Sequence, residues 1–232
     1  MNPHQVTKDF ERELCAYTGA PYAVTTTSCT MAILLAVAWH LHGKHGTDPY
    51  TRPGGLGEIV AEVEIPRRTY CGVPMAIIHA GGWPTFRDEQ WSGFYDLRPL
   101  NIFDSARFFS EGMWHLPPQG VGRPLTPTSG YMMAVSFHWS KILGVQQGGA
   151  ILHDDPEADR WLRMARFDGR QEGVHPKYQR EWIIGHHAYM SPETAAAGLI
   201  RLANLPQHNE PLPWGPGTNS DYPDLSQLEI FR

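Results

Sequence analysis

The sequence predicts an α/β fold, and three of its features lead there. Short β-rich runs alternate along the chain with apolar helix-like stretches, the pattern of strands joined by crossover helices. Two of the runs, Tyr131 to Phe137 and Ala150 to Leu152, are apolar almost throughout, as strands buried on both faces are. A third, Leu100 to Phe103, ends in Asp104, and the carboxyl ends of strands are where open α/β sheets place ligand groups.

Length and composition narrow the possibilities. The 232 residues suit one large domain or two small ones. With 41% hydrophobic and 19% charged residues the chain can bury a sizeable core, which excludes a disordered protein. The net charge of -5 gives no general attraction for nucleic acid or anionic membrane, while leaving room for a local basic patch. Cys15, Cys29 and Cys71 lack paired spacing, so neither a disulfide framework nor a zinc site is indicated, and a cytoplasmic location is expected. The N-terminus carries no signal-peptide core, and the longest apolar run, Met31 to Trp39, is too short to span a bilayer.

Taken in order, the elements follow from local chemistry. Thr7 caps a first helix from Lys8 to about Tyr17, whose Phe10, Leu14 and Tyr17 share a face. A strand from Tyr22 to Thr25 leads through Ser28-Cys29-Thr30 into a strongly apolar helix. Unbonded N–H groups at a helix start, with hydroxyls beside them, form an anion site, although Ser28 could equally serve only to cap a buried helix. Residues 43–57 read as a loop, Glu58 to Pro66 as a strand, Val73 to Ala80 as a helix, and Trp83 to Arg87 as a strand after a Gly-Gly break. Residues 108–130 are Pro/Gly-rich and irregular. The strand from Tyr131 ends in a polar turn presenting Lys141, then Gly148-Gly149 opens the next strand. A lysine between two buried strands loses hydration and proton affinity, which makes its amine a nucleophile able to form a Schiff base. A plain surface lysine on a hairpin has the same local sequence. Asp155 caps a helix from Glu157 to about Phe167. The His186-His187 pair has no further metal ligand nearby at familiar spacing, so no metal is assigned.

As a set, these blocks resemble a known family. Ser136-Phe-His-Trp-Ser-Lys141 followed by Gly148-Gly149-Ala-Ile is similar to the segment around the cofactor lysine of the DegT-type aminotransferases, which are fold type I pyridoxal 5'-phosphate (PLP) enzymes known for aminating nucleotide-linked sugars. Four further blocks match in register between about Phe10 and Leu205. The resemblance implies a three-layer sandwich with a mainly parallel sheet, the PLP-binding large domain in reduced form over residues 1–205. Residues 206–232 are expected to be a Pro-rich tail in place of the family's second domain. Family members carry a helix and a strand between Asp88 and Leu100, where this chain has too few residues for both, so one helix-strand unit of the sheet is expected to be missing.

The resemblance also implies roles. Lys141 would form the internal aldimine and move a proton between the substrate Cα and the cofactor. Asp104 would pair with the pyridine nitrogen, and Tyr70 would lie on the ring. Ser28, Cys29, Thr30 and Ser136 would hold the phosphate, with Cys29 standing where glycine is usual. Arg107 replaces a residue near the ring's phenolic oxygen, and His187 stands for an asparagine that reaches the neighbouring subunit's phosphate. The implied activity is transamination of a small-molecule amine or amino acid by a homodimer. One alternative is a PLP-dependent decarboxylase, a lyase, acting on an amino acid attached to a carrier protein or to a base in nucleic acid, with Arg67, Arg68 and Arg107 as its anion contacts. Another is a catalytically degenerate PLP-fold binding module.

Overall fold

The computed structural model describes residues 4–45, 61–115, 130–212 and 222–232. Its elements in chain order are α1 (Gln5–Thr18), β1 (Tyr22–Thr26), α2 (Cys29–Leu41), β2 (Glu62–Pro66), α3 (Gly72–His79), β3 (Trp83–Arg87), β4 (Tyr95–Leu97), β5 (Ile102–Asp104), β6 (Met132–Ser136), β7 (Gly149–His153), α4 (Pro156–Ala165) and α5 (Pro192–Leu202). The expected strand before Pro66 begins at Glu62, and residues 58–60 of that expectation lie outside the described residues, as do most of the two expected loops.

Strands β1-β7-β6-β5-β4 form one sheet and β2-β3 a second. Two backbone hydrogen bonds join them edge to edge, Glu64 N–H to Arg98 O at 2.7 Å and Arg98 N–H to Glu64 O at 3.0 Å. The combined order is therefore β1-β7-β6-β5-β4-β2-β3. Only two of the five strand pairings are parallel, β2 with β3 and β5 with β6. Yet five strands share a direction, because β1 and β6 both run against β7, and β2 and β5 both run against the β4 segment. The sheet is mixed in its ladders and mainly parallel in strand direction. Between Asp88 and Leu100 there is no helix; the three-residue β4 sits there, antiparallel, in the position where a longer chain could insert a crossover unit.

Side-chain alternation along the strands makes the three layers. Val24, Ile102, Met132, Ala134 and Ile151 face α2, α3 and α4, whereas Ala23, Phe103, Met133, Val135, Ala150 and Leu152 face α1 and α5. Every residue of β6 and β7 is buried, which accounts for their unbroken apolar sequence. Helix α2 is apolar all round because it is enclosed by the sheet, α3 and α4. Among the described residues no helix is long and apolar enough to cross a membrane.

The caps divide. Asp155 accepts from the N–H groups of Glu157 and Ala158 at 2.8 and 3.2 Å, and Ser28 Oγ accepts from Met31 N–H at 3.1 Å, as expected. Thr7 does not cap α1. The helix starts three residues earlier than expected, at Gln5, and Thr7 is buried inside its first turns. The segment after α5 packs on the body: Tyr17 donates to Pro206 O at 2.7 Å, and Leu212 N–H to Arg107 O at 2.9 Å. The C-terminal residues do the same on β2 and β3, with buried Leu225 and Phe231 as anchors and Phe231 against Phe86 at 5.8 Å.

Candidate active site

The carboxyl ends of β5 and β6, the turn after β6 and the start of α2 enclose a cavity of about 680 Å³. Ser28, Cys29, Thr30, Tyr70, Asp104, Arg107, Ser136 and Lys141 all line it, brought together from four separate stretches of sequence. His187 does not. Its side chain is 73% exposed on the surface and its Nδ1 lies 3.0 Å from Asp168 Oδ1.

Each side chain arrives by an identifiable route. Asp104 is the last residue of β5, paired with Ala134 of β6, so it ends the parallel ladder pointing at the cavity. Its Oδ2 accepts from the Tyr95 hydroxyl at 2.8 Å and its Oδ1 from Ala106 N–H at 2.9 Å. Burial pushes the carboxyl above its ordinary range, against those two hydrogen bonds. Lys141 sits in the turn of the β6–β7 hairpin. The ladder runs on past the strand ends through Phe137 N–H to Gly148 O and Val145 N–H to Phe137 O, each at 2.9 Å, so the turn is rooted in the sheet. Gly144 closes it at φ +56°, where a side chain would also meet the carbonyls of Trp139 and Lys141. Burial lowers the proton affinity of the half-buried lysine, the Arg107 cation lowers it further, and Asp104 opposes without reversing the direction. The amine is thus more readily neutral than an ordinary lysine's.

The start of α2 forms the polar end. The first N–H groups of a helix have no partner within it, and the dipole there favours an anion. Gly149 of β7 lies so close that a Cβ on it would stand 2.5 Å from Cys29 N and 2.7 Å from Ser28 C. Gly149→Ala must therefore push the helix start off the sheet. We expect it to destabilise the protein by about 1–3 kcal/mol and to weaken PLP binding, read by thermal melting and equilibrium dialysis; unchanged binding would show that this helix end holds no phosphate. Cys29 Sγ lies 4.0 Å from Asp104 Oδ1, and burial raises its thiol pKa well above normal, so it stays a neutral thiol.

Tyr70 is 53% exposed within the cavity, which is unlike a packed core aromatic and leaves a ring face for a flat ligand. Among the lining residues that were not singled out in the sequence are Thr69, Trp91 and Tyr222. Tyr222 belongs to the C-terminal segment. It meets Tyr70 edge-on at 6.5 Å, and Arg68 donates to its carbonyl at 3.1 Å. Burial raises the pKa of its hydroxyl, partly offset by the Arg107 guanidinium beside it. No spacing pattern announces such a residue, because it returns to the cavity from far along the chain.

Comparison with known proteins agrees with the fold. Residues 3–92 and 123–211 match the model of the DegT/DnrJ/EryC1/StrS aminotransferase family. The spore coat polysaccharide biosynthesis protein SpsC of Bacillus subtilis (strain 168) is 22% identical over 235 residues, covering 85% of this chain and 56% of SpsC. The sugar aminotransferase CalS13 of Micromonospora echinospora superposes with a TM-score of 0.64 at 18% identity, over 86% of this chain and 60% of CalS13. NtdA of Bacillus subtilis, solved with bound cofactor PMP, gives 0.60 at 22% identity, over 86% of this chain and 48% of NtdA. The chain thus spans about half of the length of these relatives, with the fold of fold type I PLP-dependent aminotransferases. With well over half of its residues matched by the family model, the chain belongs to the DegT/DnrJ/EryC1/StrS aminotransferase family.

Proposed function

We propose that the chain holds PLP in this cavity and is an aminotransferase acting on a sugar, with Lys141 and Asp104 as its catalytic residues. The observation that carries the reading is their convergence, from two different strands, on one cavity whose far end is the start of α2. The residues present fit the group. A flat ring needs an exposed aromatic face, and Tyr70 offers one. A ring nitrogen needs a buried carboxylate, and Asp104 lies at the end of β5 with both oxygens already hydrogen-bonded to fixed donors. A phosphate needs a helix start kept open by a glycine, and Gly149 keeps it so.

When bound, PLP supplies an electron sink for the pair left at the substrate Cα. The chain supplies the rest. The amides of Cys29 and Thr30, with the hydroxyls of Thr30 and Ser136, would bind the phosphate. Tyr70 orients the ring at little entropic cost. Asp104 would accept the pyridine N–H and keep that nitrogen protonated. Lys141 Nζ would hold the cofactor's aldehyde end in the resting protein and, once free, would accept the proton from the substrate Cα and donate it to the cofactor's aldehyde carbon. Its lowered proton affinity suits both tasks, since each begins from the neutral amine. Tyr70 and Tyr222 bound the approach, so the C-terminal segment forms part of the substrate's surroundings. The large unit is residues 1–205, and residues 206–232 serve it as an appended segment.

We further propose a homodimer. Exposed His187 then faces a second subunit, and the large exposed aromatics Trp139 and Trp182 are covered. One experiment covers the whole reading: the purified protein is reconstituted with PLP, sized by light scattering, and incubated with amino donors and keto-sugars while products are followed by mass spectrometry. A coloured dimer that moves an amino group to a keto-sugar is expected. A protein that ignores added PLP would sink the reading, and a monomer that transfers the group would sink the dimer alone.

A further inference from the structure

We infer that Tyr95 is a positioning residue for Asp104: it relays a hydrogen bond from Thr69 and so presents the carboxylate, as an anion and in one orientation, to a heteroaromatic nitrogen in the cavity. The inference rests on the cavity being the cofactor site.

The geometry begins with register. In the β4–β5 ladder Tyr95 stands directly opposite Asp104, so the two side chains leave the sheet on the same face. Tyr95 is 1% exposed and Asp104 4%. The Tyr95 hydroxyl lies 2.8 Å from Asp104 Oδ2 and 2.7 Å from Thr69 Oγ1. A phenol has one proton to donate. Buried beside a carboxylate, it gives that proton to the carboxylate, and the Thr69 contact is then a bond donated by Thr69 to the phenol oxygen. Burial and the Asp104 charge raise the Tyr95 hydroxyl's pKa well above its ordinary value, so it remains a neutral donor across the working range of pH. Trp91 packs edge-on against its ring at 4.6 Å and donates from Nε1 to Arg68 O at 3.0 Å, which fixes the ring from the other side.

The relay matters because burial works against Asp104. A fully enclosed carboxyl tends to keep its proton, and a protonated carboxyl cannot accept an N–H from the ring at that oxygen. Donors to the charged form oppose this, and Tyr95 is the strongest of those opposing burial. The Ala106 N–H and, at 4.0 Å, the Cys29 thiol face Oδ1, and Oδ2 keeps one acceptor site for a ligand. Charged groups at a site are commonly aimed by such supporting hydrogen bonds. The device is tied to this chain's short β4, since the strand that brings Tyr95 is the one occupying the contracted interval 88–100.

The test compares PLP with its carbon analogue, in which CH replaces the ring nitrogen, binding to the apoprotein in equilibrium dialysis over a range of pH. Tyr95→Phe keeps the ring and its packing and removes only the hydroxyl. It is expected to lose about tenfold in PLP affinity, with the loss growing as pH falls, because an Asp104 without its donor takes up a proton at higher pH. Affinity for the carbon analogue should be unchanged. Thr69→Val should show a smaller loss with the same selectivity for PLP, and decides the matter alone should Tyr95→Phe not fold. Equal losses for both ligands, or none for either, overturn the inference and leave Tyr95 a packing residue. A wild-type protein that binds the two ligands equally overturns it too, because then no contact to the ring nitrogen exists. Wild-type protein that binds neither overturns the cofactor reading itself.

Discussion

Lys141→Ala is expected to abolish covalent retention of PLP and to lower amino transfer by about 10²–10⁴-fold through loss of the proton-transferring amine alone, with the loss of the tether in addition. The reasons are local and independent. The amine sits in a hairpin turn rooted by backbone bonds on both strands, and burial with the Arg107 cation disfavours its charged form. Borohydride treatment of the loaded wild-type protein, followed by digestion and peptide mass spectrometry, should place one pyridoxyl group on Lys141 and none on Lys8, Lys44 or Lys177. The alanine variant should bind PLP reversibly through the remaining contacts. A small primary amine added to it should restore part of the activity, since only the amine is missing. A label found on another lysine, or full activity in the variant, would remove Lys141 from the mechanism.

What could be read from the sequence was what local chemistry encodes. Ser28 and Asp155 announce their helices because a cap needs its oxygen next to the first turn. Asp104 could be located because it ends an apolar run, and Lys141 because it lies in the polar turn that follows one, while the roles expected of both came from the family resemblance. The contraction after Asp88 was legible as a length too short for a helix and a strand. What replaced them was not legible. A three-residue antiparallel strand leaves no periodic signal, and so Tyr95, Thr69 and Trp91, the surroundings of Asp104, went unnoticed although Thr69 adjoins Tyr70. Tyr222 escaped for a different reason, as tertiary return of a distant segment has no local signature. The start of α1 shows the limit of propensity: Thr7 is a good cap by type, but burial of Thr7, Phe10 and Leu14 on one face settles the helix three residues earlier. His187 could be placed on the surface by structure only.

The largest stability effect is expected far from the chemistry, at Glu11. This α1 residue is 4% exposed and joins three elements. Its Oε1 accepts from Thr25 N–H at 2.9 Å and Thr25 Oγ1 at 2.8 Å and is paired with Arg166, while Oε2 meets Arg163 Nη1 at 2.6 Å. Arg166 is itself 1% exposed and also donates to Thr25 O at 2.7 Å. Burial raises the Glu11 carboxyl, but the two guanidiniums more than offset it and hold it below the ordinary range. Glu11→Ala leaves fully buried Arg166 with only its longer pairing to Glu172 at 3.5 Å, which costs about 3–5 kcal/mol and about 10 °C in Tm for a chain of this size. The sign of the pH dependence follows from the lowered value. Glu11's contribution is present in full above the ordinary carboxylate range and is lost as pH falls through the folded-state value, so wild type should lose stability on acidification more steeply than Glu11→Ala. Because Thr25 lies in β1, which runs directly into Ser28-Cys29-Thr30, the variant should also loosen the start of α2 and bind PLP less tightly even where it remains folded. Denaturant melts at neutral and acid pH, with PLP titrations beside them, check both. A variant as stable as wild type at neutral pH would show the network to be replaceable, and the link from α1 to the phosphate end would fall with it.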